Sequence, residues 1–416
     1  MARSNIGPPL RTCRGSADER MRILAIAYAC EPDRGSEPGV GWVWSRMLAR
    51  LGETWVVTRA NNRPAIEGGL SSLPPEERPR FVYVDLPAWA RSWKRGQRGV
   101  RLYYLMWQLH ALRRLRQLHR EEPFDVVWHL TLANAWLGSA GAWVGAPFIY
   151  GPVGGGGGSY LDPRIVGARG MLYEIARAIS ASGGRYLNPL ARFAWRRAAL
   201  ILAQNEDTVR WLPSRYRTKV KVFPNVAVDV VPEPREPTPE RPVALFAGRL
   251  LHWKGGAFAV RAMEHLRDWQ LVILGTGPDE SRLRRLAKEF GVEDRVAFRG
   301  WVSRQEVLRF MREKAGVLLL PSLHDQAGWI VGEALTLGLP AICLDRGGPP
   351  TLGATCVALD GPSRTARSLA DAVRTAPQGP LPQWDLGSRF LQLKDLLEAA
   401  NLSDESTALE GLRLSE

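Results

Sequence analysis

The most informative stretch of the chain covers residues 316–340 and has the sequence GVLLLPSLHDQAGWIVGEALTLGLP. Its apolar start predicts a buried strand, because short apolar runs bounded by turn signals are typical of parallel sheets. The loop at 321–327 leads into a helix that we place at 328–337, ended by Gly338 and Pro340. A strand, a loop and a helix in this order form the repeating unit of a parallel α/β fold.

Two carboxylates flank the start of this helix. Asp325 precedes it, and Glu333 lies inside it. If all the steps between them were helical, the two would lie about 12 Å apart along the axis. That exceeds the roughly 5 to 9.5 Å between paired glycosidase acids, so the spacing favours two ends of one extended polar ligand. Helix amides near Gly328 and Trp329 are suited to hold an anion such as a diphosphate between them.

A second loop carries two cations. An apolar strand at 243–248 is followed by Arg249 and Lys254 and then by another helix. Ligands of open α/β sheets bind outside the carboxyl ends of the strands, and two cations neutralise a pyrophosphate better than one. A solvated basic loop is the alternative, but two such loops in one βα series favour a functional site.

Together these motifs resemble those of the retaining glycosyltransferases of family 4, which have the GT-B fold of two facing Rossmann-like α/β domains with a cleft between them. The resemblance covers most of residues 21–400. It implies that Glu333 binds the donor ribose and that Asp325, in place of the family's usual Glu, faces the donor sugar beside His324 and Gln326. The Gly248-Arg249 and Lys254-Gly255 pairs match the family's diphosphate contacts, which makes Arg249 and Lys254 catalytic by stabilising the leaving group.

The resemblance also points to residues near the nucleotide and the transferred sugar. Trp301 and Val302 are expected beside the base, although a core-filling Trp is the alternative. Gly39 and Gly41 match the glycine-rich first loop near the donor phosphates, where a tight turn would also require glycine. His129, at the end of a strand, is expected to contact the transferring sugar, or else to be a hydrogen-bonded core residue.

One glycine run is interpreted from its composition. Gly154 and Gly155 follow a strand and are expected to admit an acceptor or a phosphate close to backbone amides. A flexible loop is the alternative.

Length agrees with this architecture, because 416 residues suit two α/β domains of roughly 150 to 200 residues each. The boundaries that we predict are an N-terminal extension at 1–20, an acceptor-side domain at 21–231, a Pro-rich linker at 232–240, a nucleotide-sugar domain at 241–383, and a last segment at 384–416 whose helix returns to the first domain. The extension is expected to be disordered, and the alternative is that translation starts at Met21.

Composition indicates where the protein works. The four cysteines lack C-x-x-C spacing, so neither a disulfide framework nor a zinc site is indicated, and no secretory signal precedes Met21. The uncharged run at 130–153 is broken by glycines and prolines and is interpreted as a helix, a turn and a buried strand. We expect a cytoplasmic protein.

The net charge of +14 calls for a polyanionic neighbour. Residues from Arg91 to Arg120 contain no Asp or Glu and mix arginines with aromatic residues, which suits peripheral attachment to the anionic inner face of the cell membrane. The alternative is an amphipathic helix that packs its aromatic residues into the first domain. No nucleic-acid motif accompanies the charge.

These observations predict a retaining, metal-independent glycosyltransferase without a cofactor. It would move a sugar from a nucleotide sugar, with UDP or GDP, to a membrane-associated glycan or lipid-linked acceptor of the cell envelope. Two alternatives stay open: a nucleotide-sugar epimerase or hydrolase on the same scaffold, and a nonenzymatic membrane-surface protein that retains the fold.

Overall fold

Strands and helices alternate along the chain and build two separate parallel sheets. The structure, a computed structural model, describes residues 20–87, 100–160, 162–230, 242–377 and 381–413. The expected N-terminal extension up to residue 19 and the expected linker at 232–240 lie outside these ranges.

The described strands are numbered in chain order. The first sheet contains β1 Arg22–Ile26, β2 Glu53–Thr58, β3 Arg80–Tyr83, β4 Val126–His129, β5 Phe148–Val153, β6 Ala198–Ala203 and β7 Val220–Val222. The second sheet contains β8 Val243–Ala247, β9 Gln270–Leu274, β10 Val296–Gly300, β11 Val317–Leu320, β12 Ala341–Leu344 and β13 Thr355–Val357.

The described α-helices are numbered in the same way. Those up to the end of the first sheet are α1 Ser36–Leu51, α2 Arg63–Leu70, α3 Val100–Glu121, α4 Pro163–Leu187, α5 Pro189–Arg197 and α6 Glu206–Trp211. The later ones are α7 Gly256–Ala262, α8 Glu280–Glu289, α9 Arg304–Glu313, α10 Trp329–Thr336, α11 Gly361–Arg374 and α12 Leu386–Arg413.

Both sheets have the same doubly wound order. The first is β3-β2-β1-β4-β5-β6-β7 and the second is β10-β9-β8-β11-β12-β13, with every described pair parallel. The direction of winding reverses between β1 and β4 and again between β8 and β11. Loops leaving the strands on either side of a reversal diverge and leave a crevice, which is where such sheets bind ligands. The predicted fold of two Rossmann-like domains is confirmed.

Each sheet is held by apolar layers. One core cluster surrounds the second sheet, where all four residues of β11 are buried, and two clusters cover the two faces of the first sheet. Parallel strands covered on both faces need continuous apolar runs, which the sequence supplies. Rigid sheets therefore present their exit loops at fixed positions.

The last helix packs against the first domain. Leu386 and Leu393 of α12 belong to a core cluster of the first sheet. Arg389 donates from Nη2 to the carbonyl of Pro224 at 2.7 Å and from Nε to that of Val226 at 2.9 Å. Burial lowers the pKa of Arg389 to about 9. Residues that follow the second sheet thus tie the two domains together.

Helix α3 forms the described part of the predicted membrane-binding segment, since residues 91–99 lie outside the described ranges. Tyr103, Tyr104 and Trp107 are buried in the first domain, so their predicted contact with lipid is wrong and the amphipathic alternative holds for them. Their spacing puts them on the inner face of α3. Its outer face exposes Leu102 and Leu109 and, further along, arginines.

The uncharged run at 130–153 also departs from its prediction. Its only described helix is a short 3-10 turn at Ala140–Trp143, and β5 then follows as the expected buried strand. No described helix is long and apolar enough to cross a bilayer. The glycines and prolines of this run explain the missing α-helix, because they interrupt its backbone hydrogen bonding.

Candidate functional site

A cavity of about 420 Å³ lies between the two domains, at the facing reversals of the two sheets. Its first-domain wall includes Glu37 at the start of α1 and Arg177 of α4. Its second-domain wall includes Asp325, Gly328 and Trp329, from the loop after β11 and the start of α10. The predicted acidic loop therefore faces the first domain across a concave space that is suited to a small ligand.

Lys254 and Asp325 are in direct contact. Lys254 Nζ lies 2.5 Å from Asp325 Oδ2, and both side chains are mostly buried. Gly255 makes this approach possible: its φ of 76° is left-handed, and a Cβ there would lie 1.8 Å from the carbonyl oxygen of Pro321. The structure thus brings together the cation and the acid that the sequence had placed on separate loops.

Arg249 lies on the same loop but remains exposed. Among the described residues its side chain makes no ion pair and no hydrogen bond. The preceding Gly248 has a φ of 143°, and its carbonyl oxygen would lie 1.9 Å from a Cβ at Gly275, so both glycines serve a tight crossing of loops. Arg249 therefore carries a charge that no described carboxylate compensates.

Glu333 is buried and anchored by a residue that the sequence did not reveal. Arg304 Nε donates to Glu333 Oε1 at 2.7 Å, and Trp329 Nε1 donates to the same oxygen at 3.2 Å. Burial raises the pKa of the Glu333 carboxyl, while the charge and hydrogen bond of Arg304 oppose that rise. The second carboxylate oxygen makes no hydrogen bond with the described residues.

The candidates for base contact lie just before Arg304 in the sequence. Trp301 is 75% exposed, so the core-filling alternative does not apply to it. Val302 is half-buried and packs against the core cluster of the second sheet. Ser303 caps α9 through a reciprocal bond with Glu306, which fixes the helix start and with it the position of Arg304.

The helix start at α10 supports the cavity wall. Gly328 caps this helix with a left-handed φ of 78°, a conformation that glycine adopts without steric cost. Val331 and Gly332 donate their N–H groups to the carbonyl of Gly328. The N–H groups that precede them in the first turn have no carbonyl partner within the helix. The positive end of this helix is therefore directed at the space beside Asp325.

A buried carboxylate from the first domain was missed by the sequence analysis. Glu174 of α4 is fully buried and accepts from Nε2 of His324 at 2.8 Å and Nε2 of His252 at 3.2 Å, both from the second domain. Arg177 Nη2 lies 3.3 Å from the other carboxylate oxygen of Glu174, Oε2. Burial alone would raise the pKa of Glu174, but the hydrogen bonds from the two histidines reverse this and hold that pKa well below its usual value.

Gly154 and Gly155 form part of the contact between the domains. The N–H of Gly155 donates to Gln326 Oε1 at 2.5 Å, and Asn205 Nδ2 donates to the carbonyl of Gln326 at 2.5 Å. A Cβ at Gly154 would lie 2.9 Å from Gln326 Oε1. Gly155 also lines the cavity. The glycine run thus allows the acidic loop of the second domain to approach the first domain closely.

His129 lies in the interior of the first domain. It is fully buried, with Nδ1 2.5 Å from Ser139 Oγ and Nε2 2.8 Å from Tyr104 Oη. Burial lowers the pKa of His129 to about 4. It is not among the described residues that line the cavity, so its geometry matches the core alternative and not the expected contact with a sugar.

Gly39 and Gly41 lie inside α1, which begins at Ser36, so the expected phosphate loop is helical here. A Cβ at either position would come within 2.0 Å of a backbone carbonyl oxygen, of Arg34 and Ala29 respectively. Both glycines therefore serve the close packing of α1 on the loop after β1, and this packing accounts for them without a donor.

The first turn of α1 supplies an acid that sequence reasoning passed over. Glu37 lines the cavity, and its Oε2 accepts from the N–H of Leu132 at 2.8 Å. Burial raises the pKa of Glu37, while the bond from Leu132 opposes that rise. Ser36 and Leu132 have φ values of 62° and 50°. Such backbone strain at adjoining loops is typical of functional sites.

Metal ligands are not grouped in the part of the chain that the structure describes: no three His, Cys, Asp or Glu residues there could hold one ion. Free cysteines are found at Cys30, Cys343 and Cys356.

Comparison with known proteins relates the second domain to one family and most of the chain to several glycosyltransferases. Residues 231–376 match the family model described as glycosyl transferases group 1. The 2-deoxystreptamine glucosyltransferase of Streptomyces kanamyceticus is 26% identical over 300 residues, which cover 66% of this chain and 74% of that protein. The 2-deoxystreptamine N-acetyl-D-glucosaminyltransferase of Streptomyces fradiae is 29% identical over 252 residues, covering 52% of this chain and 59% of that one.

Solved structures agree on the fold. HepE of Anabaena, crystallised with UDP and glucose, superposes with a TM-score of 0.56 at 14% identity over 91% of this chain and all of that one. The lipopolysaccharide outer core galactosyltransferase WaaB gives 0.56 at 16% identity over 91% of this chain and 99% of that one. Residues 231–376 thus carry the sequence pattern of the glycosyl transferases of group 1, and the chain has the GT-B fold, so the predicted resemblance is confirmed.

Proposed function

We propose that this protein is a retaining, metal-independent glycosyltransferase of family 4 that uses a nucleoside diphosphate sugar. The observation that carries the proposal is the paired position of Lys254 and Asp325 at a sheet reversal, next to the uncompensated charge of Arg249. A cation held by an acid at that position can exchange its partner for an incoming anion.

The diphosphate would be bound by Arg249, Lys254 and the start of α10. In the free protein Asp325 holds Lys254 in place at 2.5 Å. When the phosphates arrive, Lys254 turns to them and the carboxylate of Asp325 becomes available to the hydroxyl groups of the donor sugar. Preorganised charges of this kind stabilise the negative charge that develops on a departing diphosphate.

The nucleoside would be held by Glu333 and the loop before α9. One oxygen of Glu333 is fixed by Arg304 and Trp329, and the other is left to accept from ribose hydroxyls. The exposed ring of Trp301 offers a surface on which a base can stack. UDP in the HepE complex supports a uridine nucleotide as the donor to test first.

The transfer step needs no side chain as a base. The bond between the anomeric carbon and the diphosphate oxygen breaks, and the acceptor oxygen bonds to the same face of that carbon. The acceptor proton passes to an oxygen of the departing phosphate. The contacts of Gly155 and Asn205 with Gln326 hold the domains together over the cavity, which limits access of water to the donor.

The acceptor that we propose first is a membrane-associated glycan or glycolipid, at the inner face of the cell membrane, with residues 91–120 near anionic lipids. A second candidate is a small amino alcohol. Glu37 favours it, because a carboxylate on the cavity wall would pair with an ammonium group, and the curated relatives named above act on 2-deoxystreptamine.

The test is to incubate the protein with a panel of UDP- and GDP-sugars and with either a lipid extract or 2-deoxystreptamine as acceptor. Mass spectrometry then detects the acceptor that has gained a sugar. Arg249→Ala and Lys254→Ala should each lower turnover at least about tenfold to a hundredfold, whereas Arg364→Ala, an exposed arginine of α11, should not. Near-normal turnover in both site variants would remove the proposal. Consumption of the donor at an equal rate without acceptor would favour the epimerase or hydrolase.

A further inference from the structure

Helix α4 exposes an apolar stripe to solvent. The exposed side chains, here called the α4 stripe, range from 40% to 81% exposure and are Leu172, Ile175, Ile179, Tyr186, Leu187 and, at the start of α5, Leu190. Leu172, Ile175 and Ile179 are spaced by three and four residues and Tyr186 follows seven residues later, which puts these four on one face of the helix. The opposite face carries Glu174 and packs against the second domain. A contiguous apolar face of this kind marks a surface that binds something.

The charges along the two helices that carry the stripe are mostly positive. Residues 163–205 contain a single acid, Glu174, and it is buried under His252 and His324. The same residues contain seven arginines: Arg164, Arg169, Arg177, Arg185, Arg192, Arg196 and Arg197. The partner of this surface must therefore be both apolar and anionic.

The stripe continues towards the basic end of α3. Arg116 Nε donates to the carbonyl of Trp143 at 2.9 Å, and the ring of Trp143 stacks on that of Phe193 with centroids 3.9 Å apart. Arg196 lies over Phe193 at 5.4 Å. These contacts join the arginines of α3, the half-exposed Trp143 and helix α5 into one surface.

We propose that the α4 stripe inserts into the headgroup layer of an anionic phospholipid bilayer, with the flanking arginines on the lipid phosphates. An exposed apolar face bordered by cations is the arrangement with which helices lie in a membrane interface. A second copy of the chain fits less well, because a symmetric contact would bring two sets of arginines together without an exposed acid among residues 163–205 of either copy.

The position of α4 gives this contact a consequence for the acceptor. Arg177 and Ser180, on the inner side of the same helix, line the cavity. A lipid-linked acceptor could then enter the cavity from the bilayer along α4. This consequence rests on the proposed function, whereas the membrane contact itself does not.

The experiment is sedimentation of the full chain with vesicles of phosphatidylcholine, alone or mixed with phosphatidylglycerol. The variant Leu172→Ser/Ile179→Ser removes two side chains that are 70% and 68% exposed, and the control Leu391→Ser removes one of α12, outside the proposed surface, that is 59% exposed. We expect binding to the mixed vesicles only, reduced at least about tenfold in the α4 variant and less than about twofold in the control.

Nucleotide binding is measured on both variants and should be unchanged in each, because neither substitution lies in the candidate donor site. A loss of vesicle binding with normal nucleotide binding therefore tests the membrane contact alone and leaves the proposed function untouched. Vesicle binding by the α4 variant equal to that of the unaltered chain would overturn the membrane contact, and so would loss in the control alone. An unaltered chain that is dimeric in solution and becomes monomeric with the α4 substitutions would assign the stripe to a second copy and also overturn it.

Discussion

Nε2 of His324 lies 2.8 Å from Oε1 of Glu174, so a buried carboxylate of the first domain is bonded to the residue that precedes Asp325 in the second. His252, two residues before Lys254, contacts the same oxygen at 3.2 Å. One acid therefore connects both loops of the candidate donor site to the opposite domain. The relative position of the domains and the geometry of the site depend on the same hydrogen bonds.

Replacement of Glu174 by Gln should destabilise the protein by about 2 to 4 kcal/mol at pH 7, because Arg177, His252 and His324 lose the buried carboxylate that they contact. The low pKa of Glu174 in the folded protein means that its stabilising contribution is complete above the ordinary pKa of 4.5 and is lost as the pH falls below it. Thermal unfolding of the unaltered chain and of Glu174→Gln between pH 7 and pH 3 measures the difference in their stability. This difference should become smaller as the pH falls.

The control for this prediction is Glu67→Gln, at an exposed ion pair with Arg63 within α2. It should change stability by less than about 0.5 kcal/mol. If Glu174→Gln changed stability as little as this control, the contacts of Glu174 with the two histidines would not contribute to the stability of the fold.

Arg304→Ala should weaken nucleotide binding about tenfold, an effect of about 1.4 kcal/mol. Without Arg304 the buried Glu333 loses the cation that opposes its desolvation, so the pKa of Glu333 should rise further and the protonated form cannot accept from both ribose hydroxyls. Calorimetry with UDP at pH 6 and pH 8 should show a larger loss at the lower pH. Arg309→Ala, an exposed arginine of the same helix, should bind as the unaltered chain does.

The sequence predicted the parts of this molecule that follow from periodicity. Apolar runs such as 317–320 located the strands, and the alternation of strands and helices gave the doubly wound order. The contact between Lys254 and Asp325 was within reach of sequence reasoning, since residues at the carboxyl ends of adjacent strands must meet.

The rest could not be predicted because it depends on how the domains face one another. Glu174 is one acid within a basic helix, and only the packing of α4 against the second domain reveals its histidine partners. Arg304 carried a visible capping signal, Ser303 with Glu306, but nothing that named Glu333 as its partner. Gly39 and Gly41 matched a motif, although glycine is equally required for close backbone packing.

Asp325→Asn should separate binding from turnover. Without the negative charge, Lys254 is released from its 2.5 Å contact and can bind the phosphates without exchange of partner, so affinity for UDP should stay equal or increase. Loss of the carboxylate from the sugar side should lower kcat at least about tenfold. Calorimetry with UDP and initial rates measure the two effects, and a parallel loss of both would mean that Asp325 acts only by holding Lys254.

His129→Gln tests whether a buried histidine is structural. With a pKa of about 4 when folded and 6.5 when unfolded, His129 makes its full contribution to stability above pH 6.5, and roughly 3 kcal/mol of it is lost as the pH falls towards 4. Urea unfolding at pH 7 and pH 5 should show the variant to be less stable than the unaltered chain at pH 7 and less sensitive to acid. Its turnover per folded molecule should be within about twofold of normal, because its ring bonds Tyr104 and Ser139 inside the domain. A hundredfold fall in kcat with an unaltered stability profile would instead restore the contact with the transferring sugar that the sequence had suggested.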